Sequence, residues 1–102
     1  MSTLHTINKS PFERASLTSC LAHLAEGDSV LIYEDGVIGA RKGCAFAEAL
    51  RAKHASCAIW VLGADLAARG VKNEDVADGI GVVDYGGFVD LVAGAARVCA
   101  WL

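Results

Sequence analysis

The sequence predicts a small α/β protein, a three-layer α/β/α sandwich around a mostly parallel sheet of four to five strands. Three observations carry this. Apolar runs of strand length recur along the chain, segments with helical apolar spacing stand between them, and glycine-containing turns separate the two kinds. Strands that alternate with helices build βαβ units, whose sheet is covered on both faces. With 102 residues there is room for one domain, residues 1–102, and one core.

Leu4 to Ile7 reads as the first strand, broken off by Ser10-Pro11. Pro11 suits the first turn of a helix, because its fixed φ is helical and its missing N–H would have no partner there. Leu17, Leu21 and Leu24 recur at helical spacing, so a helix is expected over Phe12 to Ala25, closed by Gly27-Asp28. Ser29 to Tyr33 is a second strand with a Val-Leu-Ile centre, and Asp35-Gly36 is a turn. A helix follows from about Gly43 to Lys53, and Cys57 to Leu62 is the third and most apolar strand. Asp65 to Arg69 has helical spacing and ends at Gly70, a C-cap glycine. Ile80 to Asp84 is the fourth strand, Phe88 to Ala96 a helix, and Val98 to Trp101 an edge strand.

Composition narrows the function. No run approaches the ~18 apolar residues of a membrane helix, and the first residues lack a secretory signal's basic start and apolar stretch. A cytoplasmic, reducing location is expected. Cys20, Cys44, Cys57 and Cys99 are scattered, with no Cys-x-x-Cys pair and no histidine beside them in zinc-site spacing. Free thiols are expected, with no metal. The net charge of −3 and the absence of a basic stripe speak against direct nucleic-acid binding. Hydrophobic residues make up 54%, with eleven glycines besides. That exceeds the usual ~45–50% apolar share, so some apolar surface is expected to need a partner.

No cofactor motif stands out. Gly79-Ile80-Gly81 precedes a strand, whereas a dinucleotide loop must follow one so that its backbone donors meet the pyrophosphate. Gly36, Gly39 and Gly43 have neither that spacing nor a P-loop Lys-Ser/Thr, so turn glycines are the expected reading. Glu34 and Asp35 end a strand, where α/β ligand sites gather, yet no catalytic signature ties a nucleophile to them.

Thiols are the remaining chemistry. Cys20 lies three residues before His23 on one side of the first helix, where an imidazole could favour a thiolate. Its position between Leu17 and Leu24 equally fits a core cysteine. Cys44 follows Arg41-Lys42-Gly43 at the expected start of a helix, where basic neighbours and the helix dipole lower a thiol pKa. An ordinary first-turn residue is the plainer reading. Cys57 and Cys99 read as strand fillers.

Leu4 to Phe12 (LHTINKSPF), Glu26-Gly27-Asp28, Tyr33 to Val37 (YEDGV), Val61 to Gly70 (VLGADLAARG), Asp84 to Val89 (DYGGFV) and Trp101 together resemble the DsrH/TusB family. The pieces fall in order across nearly the whole chain. The resemblance implies a subunit of a sulfur-relay complex, assembled with DsrE/TusD-like and DsrF/TusC-like subunits as a dimer of heterotrimers. Such a complex passes persulfide sulfur from a TusA-like donor to a DsrC/TusE-like acceptor. The sulfur serves sulfur oxidation in the Dsr branch and tRNA 2-thiouridine synthesis in the Tus branch. It also implies that the main carrier cysteine belongs to the sister DsrE or TusD subunit, in the loop after a central strand. Here the matching stretch, Leu62-Gly63-Ala64-Asp65, has no cysteine. A first-helix cysteine such as Cys20 resembles the Dsr branch, which makes Cys20 the candidate secondary sulfur site of an otherwise accessory subunit. Two other readings are a stand-alone thiol sulfurtransferase using Cys44 and a small-ligand module using the turns after the second and third strands.

Overall fold

The computed structural model describes residues 2–102. Five strands form one all-parallel sheet: β1 (Thr3–Ile7), β2 (Ser29–Ile32), β3 (Ala58–Leu62), β4 (Gly81–Val83) and β5 (Arg97–Trp101), in the order β4-β3-β2-β1-β5. The helices are α1 (Ser16–Ala22), α2 (Ala47–Lys53), α3 (Gly63–Ala68) and α4 (Tyr85–Gly94). From β1 the chain steps in one direction through β2 and β3 to β4, then returns across the sheet to β5. Right-handed crossovers convert that reversal into a change of face.

Hence α1, α2 and α3 share one face, where Leu17, Leu21, Leu50 and Leu66 pack on Ile7, Val30, Ile32, Ile59 and Val61. The alternate residues Leu4, Leu31 and Leu62 point to the opposite face and are also buried. Only α4 crosses that face, and none of its own residues is buried.

Several boundaries differ from the sequence expectation. The first helix begins at Ser16 rather than Phe12, because Ser10 builds a separate turn. Its carbonyl accepts from the Glu13 and Arg14 N–H groups at 3.0 Å, and its hydroxyl accepts from Phe12 N–H at 3.2 Å. Pro11 lies in that turn, packed against Gly39, where a Cβ would stand 2.6 Å from the proline ring. Asp35-Gly36 is part of a longer 3-10 helical stretch, Glu34–Ala40. Gly36 is required there, since its Cβ would lie 2.9 Å from the Ile7 carbonyl oxygen. The helix expected from Gly43 begins at Ala47. The last helix starts early, at Tyr85, because the Asp84 carboxylate caps it by accepting the Gly87 N–H at 2.8 Å.

Candidate functional site

The structure places the four thiols in different surroundings. Cys20 projects from α1 into the core and is wholly buried. Burial pushes its thiol up to about 12, and the neighbouring Cys99, Asp28 and Cys57 push in the same direction. The expected partnership with His23 does not form. His23 is the C-cap of α1, donates from Nδ1 to the Ser19 carbonyl at 2.7 Å and lies against the Trp101 ring, with centroids 5.7 Å apart. Cys20 therefore lacks the exposure and the lowered thiol pKa that mark a reactive cysteine. Cys57 is also buried, its Sγ 3.3 Å from the Ala25 carbonyl oxygen. Cys99 is half-buried on edge strand β5.

Cys44 is half-buried in a turn upstream of α2, so it does not sit in the helix's first turn as expected. The turn is held by the Cys44 N–H bond to Arg41 O at 3.1 Å and by a left-handed Gly43. Lys42 N–H donates to Asp75 O at 2.7 Å, tying this segment to the loop before β4. The result is an open cavity of about 460 Å³ lined by Cys44, Arg41, Lys42, Arg69 and Asp75 among others. Its cations are partly engaged: Lys42 lies 3.8 Å from Asp78, and Arg69 pairs with Asp35 at 2.8 Å.

A second cavity, of about 450 Å³, opens at the carboxyl ends of β2 and β3 beside α4. Tyr33, Leu62, Tyr85, Phe88 and Val89 form an apolar and aromatic wall, and Glu34 and Asp65 stand at it with carboxylates. The Tyr33 and Phe88 rings meet edge to face, with centroids 5.8 Å apart. Glu34 is held at φ +49°, the one left-handed non-glycine residue among the described residues. Its N–H donates to the Asp65 carboxylate at 2.6 Å, which ties the start of the 3-10 stretch after β2 to the first turn of α3. The turns after the second and third strands were expected as a ligand region. Tyr85, Phe88 and Val89 were not, because nothing in the local sequence shows which face α4 covers. Among the described residues no cluster of three or more His, Cys, Asp or Glu is placed to hold a metal, and no helix is long and apolar enough to cross a membrane.

A family model described as "DsrH like protein" matches residues 9–98. Protein TusB of Erwinia tasmaniensis is 41% identical over 98 residues, covering 96% of this chain and 99% of that protein. Protein TusB of Escherichia coli K12 is 35% identical with the same coverage. The crystal structure of the ychN protein from E. coli superposes with a TM-score of 0.86 at 14% identity, covering 98% of both chains. The MTH1491 protein from Methanobacterium thermoautotrophicum gives a TM-score of 0.68 at 18% identity, covering 94% of this chain and 95% of that one. These two likenesses concern the fold.

Proposed function

This chain belongs to the DsrH family, and from that premise we propose that it is an accessory, shape-giving subunit of a hetero-oligomeric sulfur-relay complex. Its partners are DsrE/TusD-like and DsrF/TusC-like chains arranged as a dimer of heterotrimers. Through that assembly it serves a TusA-like donor and a DsrC/TusE-like acceptor in the cytoplasm, acting as one domain over residues 1–102. One observation carries the accessory role. The junction of β3 and α3, matching where the sister subunit is expected to hold its carrier cysteine, runs Leu62-Gly63-Ala64-Asp65, and the first-helix thiol, Cys20, is buried in the core. The TusB relatives support tRNA thiolation as the end use. In this reading Cys20 serves as a packing residue of the core.

The test is intact-mass spectrometry of the co-expressed complex after incubation with a sulfane-sulfur donor, with each chain resolved. The accessory reading expects a sulfur-atom gain on the sister subunit and none on this chain. A gain on this chain that disappears in Cys20→Ser would make Cys20 a carrier and overturn it.

A second reading rests on the cleft around Cys44. A half-buried thiol in a cleft that Arg41, Lys42 and Arg69 also line places a sulfur nucleophile where positive charge can hold an anionic sulfur donor. It predicts sulfur transfer by the isolated chain that Cys44→Ser abolishes and Cys20→Ser leaves intact.

A further inference from the structure

Resting on the reading of this chain as a subunit of a larger complex, we propose that the cavity at the carboxyl ends of β2 and β3 is a docking pocket for an arginine side chain of a sister subunit. The chemistry of the walls selects that occupant. Tyr33, Tyr85 and Phe88 bring aromatic rings to the cavity, and Glu34 and Asp65 bring carboxylates. Ring faces and carboxylates together attract a cation, and a planar guanidinium can stack on a ring while it bonds a carboxylate. Leu62 and Val89 also line it and offer apolar contact to an aliphatic stem.

Two further features fit an occupant from outside the chain. Arg69, at the end of α3, spends its short contact on Asp35 at 2.8 Å and lies 3.8 Å from Asp65. Glu34 has no ion-pair partner among the described residues. Yet its backbone is held left-handed, a strained conformation for a residue with a Cβ that persists where its surroundings fix it. Tyr85 and Val89 stand 64% and 62% exposed on α4, a helix whose only charged residue is Asp90. Large exposed side chains gathered at one concave spot mark an interaction surface. The negative rim makes the partner a cationic one, and the unburied helix beside it supplies the apolar border that surrounds such an anchor.

The experiment co-expresses this chain with its DsrE/TusD-like and DsrF/TusC-like partners and reads assembly by native mass spectrometry across a dilution series. Glu34→Lys and Val89→Asp both lie on exposed positions, and thermal melts of the isolated variants check that they fold. Each is expected to weaken assembly at least about tenfold. Phenylglyoxal modification of the intact complex is expected to spare one sister-subunit arginine in wild type and to reach it in Glu34→Lys. If wild type fails to assemble, the subunit reading itself fails. If wild type assembles and both folded variants assemble equally well, the pocket is not the docking site. If Val89→Asp disrupts assembly while Glu34→Lys leaves both assembly and the arginine's protection unchanged, the occupant is not a cation and the proposal is overturned.

Discussion

The Trp101 indole Nε1–H donates to His5 Nδ1 at 3.0 Å, joining edge strand β5 to β1. An indole nitrogen can only donate, so His5 Nδ1 must carry the lone pair and its proton must sit on Nε2. That nitrogen lies 3.0 Å from Asp28 Oδ2, the acceptor it needs. The Asp28 carboxylate also accepts the Thr3 and Ala25 N–H groups, each at 3.1 Å. Three elements distant in sequence are thereby locked with donors and acceptors matched. Nitrogen-15 NMR at neutral pH is expected to show His5 as the Nε2–H tautomer. Trp101→Phe leaves a buried acceptor unpaired and is expected to cost about 1–3 kcal/mol in chemical denaturation.

Acid should act through the same network. Burial pushes the Asp28 carboxyl up, but hydrogen bonds from His5, Ala25 N–H and Thr3 N–H outweigh it and hold the group below its usual 3.8. A folded value below the unfolded one stabilises the protein above pH 3.8, and this stabilisation is lost as pH falls through the folded value. Stability measured by urea titration is therefore expected to drop from just below pH 4 downward. Asp28→Asn should flatten that dependence while lowering stability at pH 7. An unchanged acid slope in the variant would assign acid sensitivity to other carboxylates.

The thiols should separate by reactivity. Alkylation of the native chain with iodoacetamide at pH 8, followed by peptide mapping, is expected to label Cys44 well before Cys20. A thiol at about 12 is ionised in only about one molecule in ten thousand at that pH, and Cys20 is shielded as well. Cys20 and Cys57 should react only after denaturant is added. Rapid native labelling of Cys20 would restore it as a candidate sulfur carrier.

These features differ in how far the sequence shows them. The strands were legible because continuous Val-Leu-Ile runs cannot be satisfied except between two covering layers, and their alternation with helices implies parallel pairing. Helix starts were not. Ser10 and Asp84 each satisfy backbone donors with a side chain, and that bond moves the boundary by several residues. Cys20 shows the limit of local chemistry. Spacing allows His23 to lie near it, but the phase set by Leu17 and Leu21 turns the thiol inward, and His23 falls outside the helix. The strand-end pocket and the His5–Asp28–Trp101 lock are invisible locally. Tyr33 meets Phe88, and Trp101 meets His5, only after the last crossover has closed the second layer.

Gly81 on β4 tests how tightly that second face is packed. A Cβ there would stand 2.4 Å from the Trp60 ring, which lies across from it on β3. At that distance the indole ring must shift to admit a methyl group, so Gly81→Ala should behave as an overpacking change. A loss of about 1–3 kcal/mol is expected in thermal or urea unfolding. A neutral result would mean that the Trp60 side chain has an alternative rotamer at little cost.

Glu34 offers the opposite case, a residue whose replacement should help the isolated chain and harm the assembly. Its φ of +49° is disfavoured for any residue with a Cβ, and glycine adopts it without strain. Glycine also gives the unfolded chain more freedom, which offsets part of the relief. Glu34→Gly is therefore expected to raise the stability of the isolated chain by no more than about 1 kcal/mol. The backbone N–H that donates to Asp65 is retained, so the 3-10 stretch stays joined to α3. What disappears is the carboxylate at the pocket rim. Titration of the variant against its sister subunits should then show weaker assembly from a chain that is no less stable. That pairing would locate the strain of Glu34 in binding. A variant that is both less stable and equally well assembled would instead make Glu34 a purely structural residue.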